Sequence, residues 1–174
     1  DKSITDAFID KTIACNPQCI DEDPGMPPLA FDGVATGTYK IVRGFKRHSN
    51  VGMDLGMPVG HVLYAPFDGK VLKVYCKKDG RCGQTLVMKS NAGELRVNYC
   101  HLRDKPYVKK GDPIVQGQAV GVVGMTGNTS GPHLHIELRK NGKHIDPWAF
   151  DGQSEVGTFL KWVTGAKASN PKSA

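Results

Sequence analysis

Short apolar runs separated by turn signals fill the chain from residue 37 to residue 150. The runs are rich in Val, Leu, Ile and Tyr, and segments such as Asp-Gly and Lys-Asn-Gly-Lys stand between them. They are HVLYAPF (61–67), KVLKVYC (70–76), QTLVMKS (84–90), LRVNYCHL (95–102), PIVQGQAVGVVG (113–124) and HLHIELRK (133–140). No helical pattern of about 10–15 residues alternates with them, which argues against a parallel α/β fold. The pattern predicts an all-β fold: an antiparallel β-sheet sandwich or a partly open barrel.

The two ends of the chain differ from this central region, so we divide the 174 residues into three parts. Residues 1–36 predict an N-terminal arm, with a short helix over DAFIDKTIA (6–14) followed by an acidic, Pro-rich loop. The repeated short apolar runs over residues 37–150 predict one β domain. Residues 151–174 predict a short helix over EVGTFLKWV (155–163) and a polar, disordered tail.

Charge and hydropathy argue against two classes of protein. The net charge of +6 favours anionic surroundings such as nucleic acid, anionic lipid or an acidic wall polymer, without choosing among them. The lysines are scattered and no basic run is interleaved with aromatic residues, so we expect no nucleic-acid partner. The sequence has no apolar run of about 18 residues and no visible signal peptide, so we expect no transmembrane segment.

The cysteines number five, an odd count. Cys15 and Cys19 are close in sequence, and Cys76 and Cys82 flank an Asp-Gly turn, so both pairs are candidate disulfides. Disulfides would indicate an oxidising compartment. Cys100 is left over, and we expect it to be a buried small side chain in a strand. A four-cysteine zinc site is disfavoured, because the spacing lacks paired Cys-x-x-Cys motifs.

Two histidines share one face of the predicted strand in GPHLHIEL (131–138). Residues two apart in a strand point to the same side, so His133 and His135 face one way while Leu134 and Ile136 face the core. Two imidazoles opposite a core are either solvated or used in chemistry. Glu137 shares their face, and either supports an imidazole N–H or is a solvated glutamate.

Polar residues on other predicted strands add to this pair. His101 ends one strand, and Asp54 lies in NVGMDLGM (50–57), where Gly52 leaves space between Asn50 and Asp54. An aspartate with two or three histidines on neighbouring strands makes a candidate zinc site. A catalytic zinc keeps an open position for water or a substrate carbonyl. Histidines that do not bind the metal then act as general acid and base or stabilise an oxyanion.

Three segments together resemble the LytM/lysostaphin-type zinc endopeptidases of the M23 family. They are GFKRHSNVGMDLGMPVGHVLYAPFDGKV (44–71), YCHL (99–102) and GMTGNTSGPHLHIEL (124–138), and IDPWAF (145–150) resembles the closing segment of that family. The resemblance implies an antiparallel β fold with a groove, one zinc ion and hydrolysis of peptide bonds in peptidoglycan. It also implies a location in the bacterial periplasm, the cell envelope or the secreted fraction.

The resemblance assigns roles to individual residues. Asp54 and His135 match zinc ligands, and His101 and His133 match the two catalytic histidines that do not bind zinc. The family pattern is H-x-G-x-D, and Asn50 stands in the position of its first ligand. An amide oxygen is a poorer zinc ligand than imidazole, so activity depends on what Asn50 does.

His48 is the alternative to Asn50 as the first ligand. In an extended chain, which rises roughly 3.3 Å per residue, His48 lies about 20 Å from Asp54, so we assign the ligand position to Asn50 and place His48 on the groove wall. Three interpretations stay open. Zinc binds weakly through Asn50, or Asn50 was engineered from His to silence the enzyme, or the domain is naturally degenerate and binds without cutting.

These observations predict a zinc-dependent endopeptidase acting on peptidoglycan cross-links or stem peptides. One alternative is a degenerate LytM-like module that binds peptidoglycan or activates another cell-wall hydrolase. Another is an assembly factor of an envelope-spanning machine, which would have an envelope protein as partner.

A few residues outside the motifs carry weaker expectations. His61 and His144 are expected at the surface with no chemical role, and Tyr99 and Tyr107 either line the groove or pack in strands. The N-terminal arm either covers the groove, since its acidic DEDPG (21–25) stands beside a basic domain, or is a simple lead-in.

Overall fold

The computed structural model describes residues 24–77, 79–150 and 155–174. The described residues form eleven β-strands, one α-helix and one 3-10 helix. The strands are β1 (Thr38–Arg43), β2 (Met53–Gly56), β3 (Val62–Tyr64), β4 (Gly69–Cys76), β5 (Gln84–Ser90), β6 (Leu95–Cys100), β7 (Pro113–Ile114), β8 (Ala119–Val122), β9 (His133–Lys140), β10 (Lys143–Ile145) and β11 (Lys167–Ala168). Helix α1 spans Thr158–Thr164, and the 3-10 helix spans Pro171–Ser173.

Nine of the strands form one large sheet in the order β11-β1-β2-β9-β6-β5-β4-β7, with β10 paired to β9. Strands β3 and β8 form a second, two-stranded sheet. Only β1 and β11 run parallel, and the other pairs are antiparallel. In the described residues the sheets do not close into a barrel. The all-β, antiparallel prediction is confirmed.

The core lies on one face of the large sheet. On β9, Leu134, Ile136 and Leu138 are fully buried, as the alternation in HLHIELRK predicts. Tyr99 on β6 is fully buried on the same face, and its hydroxyl donates a hydrogen bond of 2.7 Å to the carbonyl of Tyr64 on β3. Tyr99 therefore packs and links the two sheets, and it does not line the groove.

The C-terminal segment is part of this fold. Phe159, Leu160 and Val163 of α1 belong to the core cluster, and β11 pairs with β1. Asn170 fixes the chain further, because its side chain accepts a bond of 2.7 Å from the N–H of Ile41 and donates one of 2.9 Å to the carbonyl of Ile41. The predicted disordered tail is wrong, since polar residues here complete the hydrogen bonding of β1.

The described part of the N-terminal arm, residues 24–36, runs beside α1. The N–H of Phe31 donates a bond of 2.7 Å to the carbonyl of Gly117, and its ring packs edge-on against Trp162 at a centroid distance of 5.0 Å. None of residues 24–36 lines the groove described below. The helix predicted over residues 6–14, and Cys15 and Cys19, lie outside the described residues.

The cysteines do not pair as the hairpin suggests. Strands β4 and β5 do form a hairpin, with Cys76 opposite Gln84. However, Cys82 is a free thiol that hydrogen bonds to Cys100, whereas Cys76 is disulfide-bonded. The expected Cys76–Cys82 disulfide is therefore wrong, and Cys100 is buried at the end of β6, as expected. No helix in the described ranges is long and apolar enough to cross a membrane.

Candidate metal centre and active site

The pairing of β2 with β9 builds the centre of the site. The register sets Asp54 directly opposite His135, and both side chains project from the sheet face opposite the core residues Leu55 and Leu134. The Asp54 carboxylate oxygen Oδ1 lies 2.8 Å from Nδ1 of His135. Two residues distant in sequence are thus held together by backbone pairing.

Gly52 is required for this arrangement. A Cβ atom at this position would lie 2.5 Å from the carbonyl oxygen of Ile136 and 3.0 Å from Cε1 of His135. Real Cβ contacts are not this short, so only glycine allows β2 and the chain before it to approach β9 this closely. The space that the sequence indicated at Gly52 is taken by the backbone carbonyl of Ile136 and by the side chains of Glu137 and His135.

His48 lies beside Asp54, which the sequence interpretation did not expect. Residues 44–51 form consecutive turns, in which the N–H of Asn50 bonds to the carbonyl of Phe45 at 3.0 Å. Ser49 and Asn50 adopt left-handed φ angles of 57° and 54°. The folded-back chain places Nε2 of His48 3.3 Å from Oδ2 of Asp54. The extended-chain distance is wrong for this segment, because it contains no strand.

Three side chains consequently form a cluster that fits a metal ion. His48, Asp54 and His135 each offer one ligand atom, and these atoms all lie within 4.8 Å of one another. Two imidazole nitrogens and one carboxylate oxygen are a donor set that zinc takes in catalytic sites, with a fourth position open. Asn50 is not among the residues that line the cavity around the cluster.

His101 stands at the edge of the cluster, directly after β6, with a left-handed φ of 65°. Its Nδ1 lies 2.8 Å from the carbonyl oxygen of Thr126. A carbonyl only accepts, so Nδ1 carries the hydrogen and the neutral ring leaves Nε2 able to take a proton. Burial lowers the pKa of His101, and the neighbouring histidines act in the same direction. The ring is held neutral and is available as a base.

His133 faces His101 across the groove, with ring centroids 4.7 Å apart. Its Nδ1 lies 3.0 Å from the carbonyl of Gly131 and 3.0 Å from the hydroxyl of Thr129. Its Nε2 lies 3.7 Å from Oδ1 of Asp54. The Nδ1 contacts therefore orient the ring so that Nε2 points toward the cluster.

Hydrogen bonds outweigh burial in the electrostatics of the cluster. Burial alone would raise the pKa of Asp54, but the hydrogen bond and the charge of His135 lower it. Burial likewise opposes the charged form of His135, yet its bonds to Asp54 and Glu137 raise its pKa to about 9. Glu137 accepts from Nε2 of His135 at 2.9 Å, which lowers the pKa of this glutamate. Of the two roles expected for Glu137, the structure therefore favours support of the His135 imidazole through this hydrogen bond.

A groove of about 970 Å³ surrounds the cluster. Besides the histidines and Asp54, its lining includes Arg43, Arg81, Cys82, Arg139 and His144, none of which the sequence interpretation placed there. Arg139 could have been found from its parity with His135 on β9. Arg81 and Cys82 come from the tip of the β4–β5 hairpin, which carries no periodic signal.

Two histidines differ from their expected surface positions. His144 lines the groove, with Nδ1 3.8 Å from Oε1 of Glu137. His61 is half-buried, and its Nε2 lies 2.7 Å from the carbonyl of Thr164 at the end of α1. His61 therefore ties the β3 region to the helix. Tyr107 does not line the groove.

A His–Asp–His cluster beside two further histidines, open to a groove on an antiparallel sheet, is the arrangement of a metal-dependent hydrolase. The family model of Peptidase family M23 matches residues 48–147, more than half of the chain. The chain therefore belongs to Peptidase family M23.

Individual relatives agree with this assignment. The peptidoglycan DD-endopeptidase ShyB of Vibrio cholerae serotype O1 is 37% identical over 100 residues, which are 58% of this chain and 22% of ShyB. A zinc-containing peptidase from Vibrio cholerae superposes with a TM-score of 0.55 and 32% identity, over 68% of this chain and 39% of the other. The antimicrobial peptidase lysostaphin from Staphylococcus simulans gives a TM-score of 0.55 and 28% identity, over 68% of this chain and 52% of lysostaphin. The chain thus spans only part of the relatives that it matches.

Proposed function

We propose that this chain is a zinc-dependent endopeptidase that hydrolyses peptide bonds in peptidoglycan cross-links or stem peptides. The observation that carries the proposal is the cluster of His48, Asp54 and His135 with His101 and His133 beside it. The substrate class comes from relatives such as ShyB, whose name describes a peptidoglycan endopeptidase. A peptidoglycan substrate would require this protein to act in the cell envelope or outside the cell.

His48, Asp54 and His135 would hold the zinc ion. When bound, zinc acts as a Lewis acid that acidifies water and polarises the carbonyl of the scissile amide. The first ligand of the family motif would come from His48 and not from Asn50. His48 supplies an imidazole nitrogen, which is the donor type that zinc prefers. This removes the main reason for the degenerate, non-catalytic alternative.

His101 and His133 would move and hold protons at the reacting amide. Nε2 of His101 takes a proton from the attacking water, because Nδ1 is committed to Thr126. Nε2 of His133, when protonated, donates to the oxyanion that develops on the carbonyl oxygen. The two rings are 4.7 Å apart, so one amide group fits within reach of both.

The first experiment compares His48→Ala with Asn50→Gly. Glycine keeps the left-handed backbone that Asn50 adopts, so this variant removes only the amide side chain. We expect wild type and Asn50→Gly to contain zinc near one ion per chain and to release peptides from purified sacculi. His48→Ala should lose both properties while its thermal unfolding stays cooperative.

The opposite result identifies Asn50 as the ligand. Loss of zinc in Asn50→Gly with zinc retained in His48→Ala would contradict the proposed ligand set. A wild-type protein that sediments with sacculi but releases no peptide would instead support a binding module or an activator of another hydrolase. An envelope partner and a groove-covering role for the arm remain predictions.

A further inference from the structure

A row of basic side chains crosses the large sheet on the face that carries the groove. The register pairs each of its members with the next across adjacent strands, from β4 through β5, β6 and β9 to β10. We call these residues the basic row: Lys70, Lys89, Arg96, Arg139 and His144. Arg139 has the same parity as His135 on β9, which sets the row on the groove side.

Among the residues that the structure describes, most charges of the basic row are not matched by an ion pair, although Glu137 lies 3.8 Å from His144 and its carboxylate interacts with the charge of Arg139. Like charges directly opposite each other in a sheet are destabilising. In the described part of the chain, no ion pair involves Lys70, Lys89, Arg96 or Arg139. Moreover, Nε of Arg96 is buried without a hydrogen-bond partner. A buried guanidinium N–H without an acceptor is costly. A ligand cannot reach this covered atom, but Arg96 as a whole is half-buried and lines a second cavity, where a ligand that supplies acceptors would meet its guanidinium.

The acidic residues near the row do not fill this role. Glu137 is engaged by His135 at 2.9 Å and lies 3.8 Å from His144. Glu94 lines a cavity beside the row but is exposed and makes no ion pair with it among the described residues. The row therefore keeps a net positive charge on the groove side of the sheet.

A second cavity of about 220 Å³ lies on the row and is lined by Lys89, Arg96 and Arg139, among others. Arg139 also lines the main groove, so the cavity and the groove meet at this side chain. Arg139 follows His135 by four residues on β9, which corresponds to about 13 Å along the strand. An extended peptide covers a similar distance in about four residues.

Building on the proposed function, we propose that the basic row is a subsite of the groove that binds a carboxylate of an acidic peptide substrate. The guanidinium groups of Arg96 and Arg139 suit a carboxylate, because two parallel N–H groups match its two oxygens. The carboxylate would lie about four residues from the scissile amide. A phosphate of a wall polymer offers similar chemistry, but the groove that leads to the row is the one proposed to hold a peptide.

The test measures binding to the zinc-loaded full chain by calorimetry, with every protein compared in the His101→Ala background so that cross-linked probes are bound and not cleaved. Release of peptide from sacculi is assayed with His101 present. The probes are soluble cross-linked muropeptides with free carboxylates, the same muropeptides after amidation of those carboxylates, and glycerol phosphate oligomers. We expect the wild type to bind the acidic probe about tenfold more tightly than the amidated one. Lys89→Gln/Arg96→Gln should bring the two dissociation constants within about twofold of each other.

The matched control is Lys110→Gln/Lys172→Gln, which removes the same charge from exposed positions outside both cavities. It should keep the preference for the acidic probe. Lys70→Gln/Lys89→Gln leaves the half-buried Arg96 in place and should weaken the preference about threefold, so the test does not depend on an arginine variant alone. Zinc content and thermal unfolding of each variant report that the metal centre and the fold are intact.

Equal binding of acidic and amidated muropeptides by the wild type would overturn the proposal. Glycerol phosphate oligomers that displace the acidic muropeptide from wild type but not from Lys89→Gln/Arg96→Gln would overturn the carboxylate assignment in favour of phosphate. A wild type that prefers the acidic probe but releases no peptide from sacculi would keep the subsite and refute the endopeptidase function instead.

Discussion

The close approach of Gly52 to β9 makes Gly52→Ala a quantitative test of the site. The added methyl group would lie 2.5 Å from the carbonyl oxygen of Ile136 and 3.0 Å from Cε1 of His135. Non-bonded atoms are most stable at about 3.5–4.0 Å, so β2 and β9 must separate by about 1 Å at this point. The obstacle includes backbone, which cannot rotate away as a side chain would.

The expected loss of stability follows from this contact. Overpacking costs about 1–3 kcal/mol, and the lower entropy of the unfolded alanine variant offsets about 0.4–1 kcal/mol of that. The net cost is then about 0.6–2 kcal/mol. For a chain of this size each kcal/mol shifts Tm by about 2–4 °C, so Tm should fall by about 1–8 °C. The separation also strains the 2.8 Å contact between Asp54 and His135. Metal ligands tolerate deviations of only about 0.2 Å, and we expect zinc affinity to fall at least about tenfold.

Calorimetry of the metal-free protein and zinc titration against a competing chelator measure the two effects. Gly121→Ala is the control, because its methyl group would meet only the side chain of Leu102, at 3.6 and 3.9 Å. This variant should keep the Tm and zinc affinity of the wild type. If Gly52→Ala matches Gly121→Ala in both measurements, the packing of β2 against β9 that positions Asp54 is not as described.

Further predictions concern the metal, two site residues and the core. Chelation should lower the Tm of wild type, and zinc at about 1,000 times its Kd should add about 4 kcal/mol of stability; His48→Ala should respond to neither treatment. His101→Ala should retain zinc but lower kcat by about 10²–10⁴, measured as peptide release. The pKa of Cys82, lowered to about 7 chiefly by its hydrogen bond with the neighbouring thiol, predicts alkylation of the Cys82 peptide by iodoacetamide, measured by mass spectrometry, that rises with a midpoint near that pH. Tyr99→Phe removes the donor of the part-buried bond to the carbonyl of Tyr64 and should cost about 0.5–1.5 kcal/mol in urea unfolding; an unchanged midpoint would contradict the inter-sheet bond.

The strands that sequence reasoning located are those with enough positions to show a period. HLHIELR alternates polar and apolar residues strictly over positions 133–139, and β9 occupies this segment with one further residue. By contrast, β10 and β11 are only three and two residues long, which is too short for any periodicity to register. Strand β11 also depends on pairing with β1 across the whole domain. Such non-local pairing is visible only once the fold exists.

The residues of the candidate site fall into the same two groups: those on regular strands, which the sequence pattern indicates, and those outside strands, which it does not. Strand parity brings Asp54, His133 and His135 to one face, because their segments are regular. His48 lies outside any strand, and its position depends on two successive left-handed residues, Ser49 and Asn50. Residues other than glycine adopt that conformation rarely, so no pattern of polar and apolar positions indicates it.

The left-handed turn also accounts for an asparagine at the position where the family motif has histidine. Asparagine tolerates positive φ better than most residues, because its short side chain hydrogen bonds locally. At position 50 the backbone must turn back so that His48, two residues earlier, reaches Asp54 at 3.3 Å. In the proposed ligand set Asn50 therefore acts through backbone geometry, and His48 supplies the imidazole from a different place in the sequence. The donor set and its charge stay those of two histidines and an aspartate, which is why the shifted motif need not alter the chemistry of the site.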